Sequence, residues 1–344
     1  MKLMEKIKNG VYMIAEMSAN HAGSLDTALE IVRAAKEAGA DCLKIQTYTA
    51  DSMTLDCDNE YFRIEGGLWD GYKLYDLYKE ASTPYGWQKL IKEECGRLGM
   101  DFLSTPFDAH AVDFLEGIGV EAYKIASFEL THIPLIKYAA GKGKPMIVSC
   151  GMGSAEEIGA AVDAMAAAGL PKEKIVLLKC TSEYPAVFED MNLSVIPDMA
   201  KRFGTVVGLS DHSMGHLAPV VAVALGARVI EKHFTVSRDI KNPDSEFSME
   251  PSEFAEMVGA VKTACEVLGN GGYGLTEKEK ESLKFRRSIF AAADIGKSEE
   301  FTQGNIKVIR PSYGAAPICY DELLGKESKR GYRFGEPILV DEVK

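Results

Sequence analysis

Apolar and polar positions repeat along the chain as short buried segments, each followed by a stretch with helical spacing. Eight apolar runs end in polar residues, at residues 11–18, 42–47, 101–107, 122–129, 145–151, 175–181, 206–212 and 229–234. After the first run, Ala28, Ile31, Val32 and Ala35 share one face of a helix predicted at 27–38. Strands that alternate with helices pair in parallel through right-handed crossovers, so the pattern predicts an α/β fold.

Two α/β architectures suit such a pattern, a (β/α)₈ TIM barrel and a doubly wound open sheet. Near-continuous apolar strands, as at 146–148 and 175–178, indicate burial on both faces in either case. We favour the barrel because eight units can be counted and no G-x-G-x-x-G segment follows the first strand.

Polar residues stand at or just past the ends of these strands. They are Glu16, Gln46, Thr105, Glu129, Ser149, Ser182, His212 and His233. The carboxyl ends of barrel strands converge on one face, where active sites of this architecture lie. The pattern therefore indicates an enzyme before any single motif is considered.

Residues 49–82 form a connection far longer than the few residues that usually join elements. It contains Gly66-Gly67-Leu68-Trp69-Asp70 and a predicted helix at 72–81. Long loops on the catalytic face carry specificity, so we expect Trp69 to lie over the mouth of the barrel. The alternative is that Trp69 anchors the loop to the barrel.

The repeating pattern stops after about Gly269. The predicted organisation is a barrel domain at 1–270, a linker at 271–285 and a small domain at 286–344. A domain of about 60 residues buries little core. We therefore expect it to lean on the barrel or on a second subunit.

Composition narrows the class of function. The net charge of −12 excludes a general basic footprint for nucleic acid, so an anionic substrate must meet local positive charge. No run is long and apolar enough to cross a membrane, and the N-terminus lacks a signal core. The seven cysteines include no C-x-x-C pair, which favours reduced thiols. We expect a cytoplasmic protein.

Two histidines end neighbouring strands of the predicted barrel. His212 closes the seventh strand and His233 the eighth, and alternation places each on the same face as Ser210 and Glu231 respectively. Two imidazoles at one mouth can share a divalent metal with positions left for water and substrate. The alternative is two separate, hydrogen-bonded histidines.

Four lysines lie inside predicted strands, at Lys44, Lys124, Lys179 and Lys232. Buried lysine is rare unless it is paired. Facing the mouth, these lysines would bind a phosphate or carboxylate, or form a Schiff base. Salt bridges within the barrel are the other explanation. Ser127 joins the site only if the fourth strand ends before it.

Carboxylates are less specific signals. Glu16 and Glu129 end the first and fourth strands and suit a general base or a ligand for sugar hydroxyls, but such residues are often structural caps. Asp211 and Asp244 could support either a substrate or its ligands. The residues alone thus indicate a barrel enzyme with a metal, an anion pocket and a polar substrate.

The motifs taken together resemble the sialic acid synthase family. They are Ala15-Glu16, Asn20-His21-Ala22-Gly23, Lys44-Ile45-Gln46-Thr47, Ser104-Thr105-Pro106-Phe107, Tyr123-Lys124-Ile125-Ala126-Ser127, Gly208-Leu209-Ser210-Asp211-His212-Ser213 and Glu231-Lys232-His233-Phe234. The C-terminal part resembles the antifreeze-like (SAF) domain of that family. Its matching segments are Arg287-Ser288-Ile289, Asn305-Ile306, Arg310-Pro311, Gly314 and Leu323-Leu324-Gly325-Lys326. Residues 18–24 and 66–70 look like the branch that makes pseudaminic acid.

The resemblance implies condensation of phosphoenolpyruvate with 2,4-diacetamido-2,4,6-trideoxy-L-altrose, with phosphate released by C–O cleavage. It implies a divalent metal on His212 and His233, manganese first, with magnesium and cobalt as alternatives. The positions that match phosphate and carboxylate contacts are Lys44, Thr105, Lys124, Ser127, Ser149, Ser182 and Ser210. Sugar-side positions are Glu16, Gln46, Tyr184 and Asp244, and we add Trp69. Glu129 matches a group for proton transfer.

The resemblance also implies a homodimer in which the SAF domain crosses to the partner's barrel and Arg310 reaches the substrate there. Ser182 departs from the family, because sialate makers often carry Asn at this phosphoenolpyruvate contact. The alternatives are an N-acetylneuraminate or legionaminate synthase with the same chemistry, a Schiff-base aldolase, and a non-catalytic sugar-binding protein.

Overall fold

The first and last strands of the repeating pattern pair with each other. Eight parallel strands lie within residues 3–342, which the computed structural model describes. They are Tyr12–Glu16 (β1), Cys42–Thr47 (β2), Asp101–Pro106 (β3), Tyr123–Ile125 (β4), Met146–Ser149 (β5), Ile175–Cys180 (β6), Val206–Asp211 (β7) and Val229–His233 (β8). Their order is β3-β2-β1-β8-β7-β6-β5-β4, and β3 lies beside β4. The TIM-barrel prediction is confirmed, and the β1–β8 pairing excludes the open doubly wound order.

Helices cover the outside of the sheet. The α-helices of the described chain are Leu3–Asn9 (α1), Leu25–Glu37 (α2), Ala50–Met53 (α3), Leu74–Ala81 (α4), Tyr85–Arg97 (α5), Ala109–Gly117 (α6), Ile133–Ala140 (α7), Ala155–Ala167 (α8), Ile196–Phe203 (α9), Leu217–Ala224 (α10), Pro251–Leu268 (α11), Glu277–Ser282 (α12) and Tyr320–Leu323 (α13). The Ser24 side chain caps α2 by accepting a hydrogen bond from the Thr27 amide (3.2 Å). α2 buries the four apolar positions expected from its spacing.

The fourth apolar run differs from its expected extent. Only Tyr123–Ile125 is strand, and a 3₁₀ turn follows at Ser127–Glu129. Because the strand ends at Ile125, alternation no longer dictates the direction of Ser127. Glu129 likewise lies in the turn after the strand.

The N-terminal ends of the strands are filled by apolar side chains. Leu3 and Ile7 of α1 belong to the same buried cluster as Tyr12 and the first residues of several strands. Lys6 forms an ion pair with Asp101 at 2.7 Å. A cavity of about 190 Å³ lies at this end, which in TIM barrels serves stability. None of the helices within residues 3–342 could cross a membrane.

The chain divides into two compact units, one up to Gly269 and one from Asn270 onward. The second unit contains α12, α13 and the antiparallel strands Ser288–Ala291 (β9) and Ile306–Ile309 (β10). It has its own buried core around Phe301 and Tyr332.

Candidate active site

Strand pairing brings charged side chains together at the carboxyl ends of the barrel. Glu16 of β1 stands opposite Lys44 of β2 and His233 of β8, and Ser210 of β7 stands opposite Glu231. Apart from His233, each of these residues is at most 4% exposed. Their positions are therefore held by the sheet rather than by mobile loops.

Two lysines and two glutamates form a buried ionic network. Lys44 Nζ lies 2.8 Å from Glu16 Oε2 and 3.4 Å from Glu231 Oε1. Lys124 Nζ lies 3.2 Å from the same Glu231 oxygen, which also accepts a hydrogen bond from Ser210 Oγ (3.2 Å). Burial opposes the charge of Lys44, but Glu16 and Glu231 outweigh it and raise the pKa of that lysine. Burial lowers the pKa of Lys124.

The other two strand lysines serve the scaffold. Lys232 is paired with Asp211 and donates to the carbonyl oxygen of Gly215 (3.0 Å). Lys179 donates to the Cys180 carbonyl oxygen (2.7 Å) and is close to Thr181 Oγ1 (3.3 Å). Salt bridging or local bonding thus accounts for both, as the structural alternative expected.

The two histidines approach each other at the mouth, with ring centroids 5.4 Å apart. His212 Nδ1 is 2.8 Å from the Thr181 carbonyl oxygen, and since a carbonyl only accepts, Nδ1 carries the proton and leaves Nε2 as an acceptor. His233 Nδ1 is buried without a hydrogen-bond partner and lies 4.0 Å from Asp244 Oδ2. Burial lowers the pKa of His233 well below its usual range, which favours neutral imidazole.

Neutral imidazole nitrogens are common ligands of divalent metals. The orphaned nitrogen of His233 and the free nitrogen of His212 fit a metal held by two protein ligands. Within the described part of the chain, no group of three or more His, Cys, Asp or Glu side chains is placed to hold a metal ion. Water and substrate would therefore supply the other ligands.

A cavity of about 360 Å³ opens at this face. Its polar lining includes Ser18, Gln46 and Asp244. The Gln46 amide donates to Glu16 Oε1 (3.1 Å) and to Ser18 Oγ (2.9 Å). Asp244 Oδ2 accepts from the Ala19 amide (3.0 Å). The sugar-side residues expected from the sequence are thus gathered at one wall.

Trp69 is both anchored and part of the cavity lining. Its Nε1 donates to the Pro243 carbonyl oxygen (3.0 Å). Its ring centroid lies 5.6 Å from that of Tyr184, which in turn lies 4.3 Å from the His212 ring. Each of the two roles weighed for this residue therefore has a contact that supports it, and its effect on sugar binding stays a prediction.

Glu129 lines the same cavity, and its Oε2 is buried without a hydrogen-bond partner. Burial raises the pKa of Glu129 to about 7, although Lys124 partly opposes the shift. At neutral pH this carboxyl group can either give or take a proton.

Three hydroxyls and a glycine line a small cradle beside the lysines. The Gly151 amide donates to Ser127 Oγ (3.1 Å). A Cβ at Gly151 would lie 2.8 Å from that oxygen and 2.3 Å from Ser182 Oγ, so only glycine leaves this space open. Ser149 Oγ is buried without a partner. Lys124 lies three residues before Ser127, and such a group of donors suits an oxyanion.

The remaining expected residues have different settings. Thr105 Oγ1 lies 3.4 Å from Lys44 Nζ, within the ionic network. Arg310 is exposed on the second unit, and its role stays a prediction. Glu231 and Gly151 were not assigned roles from the sequence. Alternation with His233 was the signal that could have placed Glu231 in the site, whereas Gly151 had no local signal.

Comparison with known proteins places this fold and site in a family. The NeuB family profile matches residues 31–273, and the SAF domain profile matches residues 286–344. The chain belongs to the NeuB family. The expected resemblance to sialic acid synthases, including the SAF domain, is thereby confirmed.

Individual relatives cover nearly the whole of this NeuB family chain. It is 48% identical to the pseudaminic acid synthase of Campylobacter jejuni over 95% of each chain. It is 34% identical to the N,N'-diacetyllegionaminic acid synthase of Legionella pneumophila, over 97% of this chain and 94% of that one. The crystal structure of the N-acetylneuraminic acid synthetase of Leptospira borgpetersenii matches with a TM-score of 0.72 and 35% identity, covering 80% of this chain and 90% of that chain.

Proposed function

We propose that this protein is a pseudaminic acid synthase that condenses phosphoenolpyruvate with 2,4-diacetamido-2,4,6-trideoxy-L-altrose. The observation that carries the proposal is the 48% identity to the Campylobacter jejuni enzyme over 95% of both chains. Identity to the legionaminic acid synthase is lower, at 34%. Carbon 3 of phosphoenolpyruvate bonds to the aldehyde carbon, water adds to carbon 2, and phosphate leaves with cleavage of its C–O bond.

The lysines and the serine cradle suit phosphoenolpyruvate. Lys44 and Lys124 supply positive charge in a chain whose net charge is −12. The hydroxyls of Ser127, Ser149 and Ser182 supply neutral donors for the phosphate or carboxylate oxygens. Glu231, which pairs with both lysines, holds their ammonium groups at one place before substrate arrives.

The opposite wall suits the sugar. Gln46 and Asp244 line the cavity, and the Gln46 amide is oriented by Glu16. A divalent cation on His212 and His233, manganese in our proposal with magnesium and cobalt as alternatives, would polarise the aldehyde oxygen when bound.

Glu129 is the proposed proton-transfer group. With a pKa of about 7, its carboxyl group is partly protonated at neutral pH, so it can deliver a proton to the new hydroxyl or accept one from water. Its freedom from other hydrogen bonds leaves the Oε2 atom available to the reacting groups.

We also propose a cytoplasmic homodimer in which Arg310 of the SAF domain reaches the substrate bound in the partner's barrel. The proposal rests on the family resemblance of the Arg310-Pro311 segment. It would give two equivalent composite sites related by a twofold axis.

Phosphate release tests the assignment. The enzyme is assayed with phosphoenolpyruvate and, separately, with the trideoxy-altrose, N-acetylmannosamine and the legionaminic acid precursor. We expect turnover with the altrose, and turnover with N-acetylmannosamine alone would overturn the assignment. Binding without phosphate release would favour a sugar-binding protein. Borohydride trapping of a substrate adduct, with full activity in chelator, would favour a Schiff-base aldolase.

A further inference from the structure

We propose that the connection between β2 and α5 selects sugars that carry a methyl group, rather than a hydroxymethyl group, at carbon 6. The selecting surface is an apolar wall formed by Met53, Ile64, Leu74 and Leu77, which line the cavity. The inference rests on the proposed function, because the sugar is the second substrate of that reaction.

The two sides of the cavity differ in chemistry. Barrel residues at the strand ends and the nearby loops contribute Gln46, Glu129, His233 and Asp244 to the lining. The residues contributed by the connection are neutral, namely Met53, Ile64, Trp69, Leu74, Leu77, Tyr78 and Ala81. A ligand spanning the cavity thus meets charged groups at one end and hydrocarbon at the other.

The reaction sets the direction of the sugar. Its aldehyde carbon must lie at the polar side, where His233 and Glu129 are available for chemistry. Carbon 6 is the opposite end of the open-chain sugar, so it points away from the strand ends and toward the connection. There it meets the apolar wall.

A hydroxyl group at carbon 6 would lose water without an adequate replacement. The Trp69 N–H is already donated to the Pro243 carbonyl oxygen (3.0 Å). Among the described residues that the connection adds to the lining, the Tyr78 hydroxyl is the remaining side-chain hydrogen-bonding group. Burying a polar group beside hydrocarbon is unfavourable, whereas burying a methyl group there is favourable.

The wall is held in place before substrate binds. The Ile64 amide donates to the Tyr72 carbonyl oxygen, and the Gly71 amide donates to the Ile64 carbonyl oxygen, both at 2.9 Å. Leu77 is only 7% exposed. Since the backbone bonds at Ile64 do not involve its side chain, that side chain can be changed without breaking the hairpin.

The test compares two sugars that differ by one oxygen atom, 2,4-diacetamido-2,4,6-trideoxy-L-altrose and its 6-hydroxy counterpart. For the unmodified enzyme we expect kcat/KM to favour the 6-deoxy sugar by about 10- to 200-fold, as for other small groups in apolar pockets. A ratio near one would overturn the proposal. The same ratio is measured with N-acetylmannosamine and its 6-deoxy form.

Matched variants locate the effect at the wall. Ile64→Val and Ile64→Thr have nearly the same shape and differ in one hydroxyl group. We expect Ile64→Thr to lower the 6-deoxy preference about 3- to 10-fold relative to Ile64→Val, since the new hydroxyl can bond the 6-hydroxy group. Leu74→Asn should act in the same direction. The KM for phosphoenolpyruvate should not change in any variant.

The outcomes separate this inference from the proposed function. Turnover of the manno sugars but not the altrose sugars would overturn the proposed function, and the 6-deoxy preference within the manno pair would still decide the role of the wall. Turnover of the altrose pair with equal ratios in Ile64→Thr and Ile64→Val would overturn the wall alone. No turnover with any of the four sugars would overturn both.

Discussion

Replacing Gly151 by alanine is expected to weaken phosphoenolpyruvate binding selectively. The added Cβ would lie 2.3 Å from Ser182 Oγ and 2.8 Å from Ser127 Oγ, closer than carbon and oxygen can approach. Gly151 is not among the positive-φ glycines, so its backbone accepts alanine and the hydroxyls must move instead. A hydrogen bond to a charged group contributes about 1.5–3 kcal/mol. Losing one raises KM for phosphoenolpyruvate by about 10- to 150-fold.

The assay is steady-state phosphate release with each substrate varied in turn, together with thermal unfolding to show that the variant is folded. The control is Gly159→Ala in α8, where the nearest atom to an added Cβ is a Phe203 ring carbon at 3.9 Å. This control should have unchanged kinetics. In a Ser182→Ala background, Gly151→Ala should add less, because one of the two displaced hydroxyls is already absent. A KM for phosphoenolpyruvate within twofold of the unmodified enzyme would refute the cradle.

Four further predictions follow from the site. Glu129 has a folded pKa of about 7 and an ordinary value of 4.5, so the native state loses stability as pH rises from 4.5 through 7. Glu129→Gln should therefore raise the free energy of unfolding in urea by up to about 3 kcal/mol at pH 8 and little at pH 4, while lowering kcat; equal effects at both pH values would contradict this. Dialysis against chelator should abolish activity and Mn²⁺ should restore it, and His212→Ala or His233→Ala should lower metal content and kcat together; normal turnover without metal would exclude the pair. Trp69→Ala should raise KM for the sugar and leave that for phosphoenolpyruvate nearly unchanged, whereas equal rises would indicate an anchor only. Mixed dimers of Arg310→Ala and His212→Ala chains should regain roughly half of the activity, since under a crossed arrangement one site carries both lesions and the other neither; no recovery in mixed dimers would show that Arg310 does not cross.

Much of the candidate site was visible in the local pattern of the chain. Short apolar strands that end in polar residues predicted the barrel and the face on which Glu16, Gln46, His212 and His233 lie. Alternation also placed Glu231 on the same face as His233, but local sequence does not reveal that one Glu231 oxygen meets two lysines from other strands.

Lysine in a strand illustrates the limit of the pattern. Lys124 and Lys232 both lie within apolar runs, yet Lys124 is in the ionic network and Lys232 pairs with Asp211. Four lysines at similar positions gave the same local signal, and the partner of each is a residue on another segment. Burial then decides the charge, since it lowers the pKa of Lys124 and raises that of Glu129.

The amino-acid sequence by itself determined the order of strands and helices, because periods of two and 3.6 residues are set by neighbours along the chain. Tertiary structure alone decided the short extent of β4, which frees Ser127 and Glu129 to turn toward the mouth. It also decided that Gly151 faces two serine hydroxyls. These features depend on how the sheet closes, which brings together atoms from segments far apart in the sequence, at distances that no local period encodes.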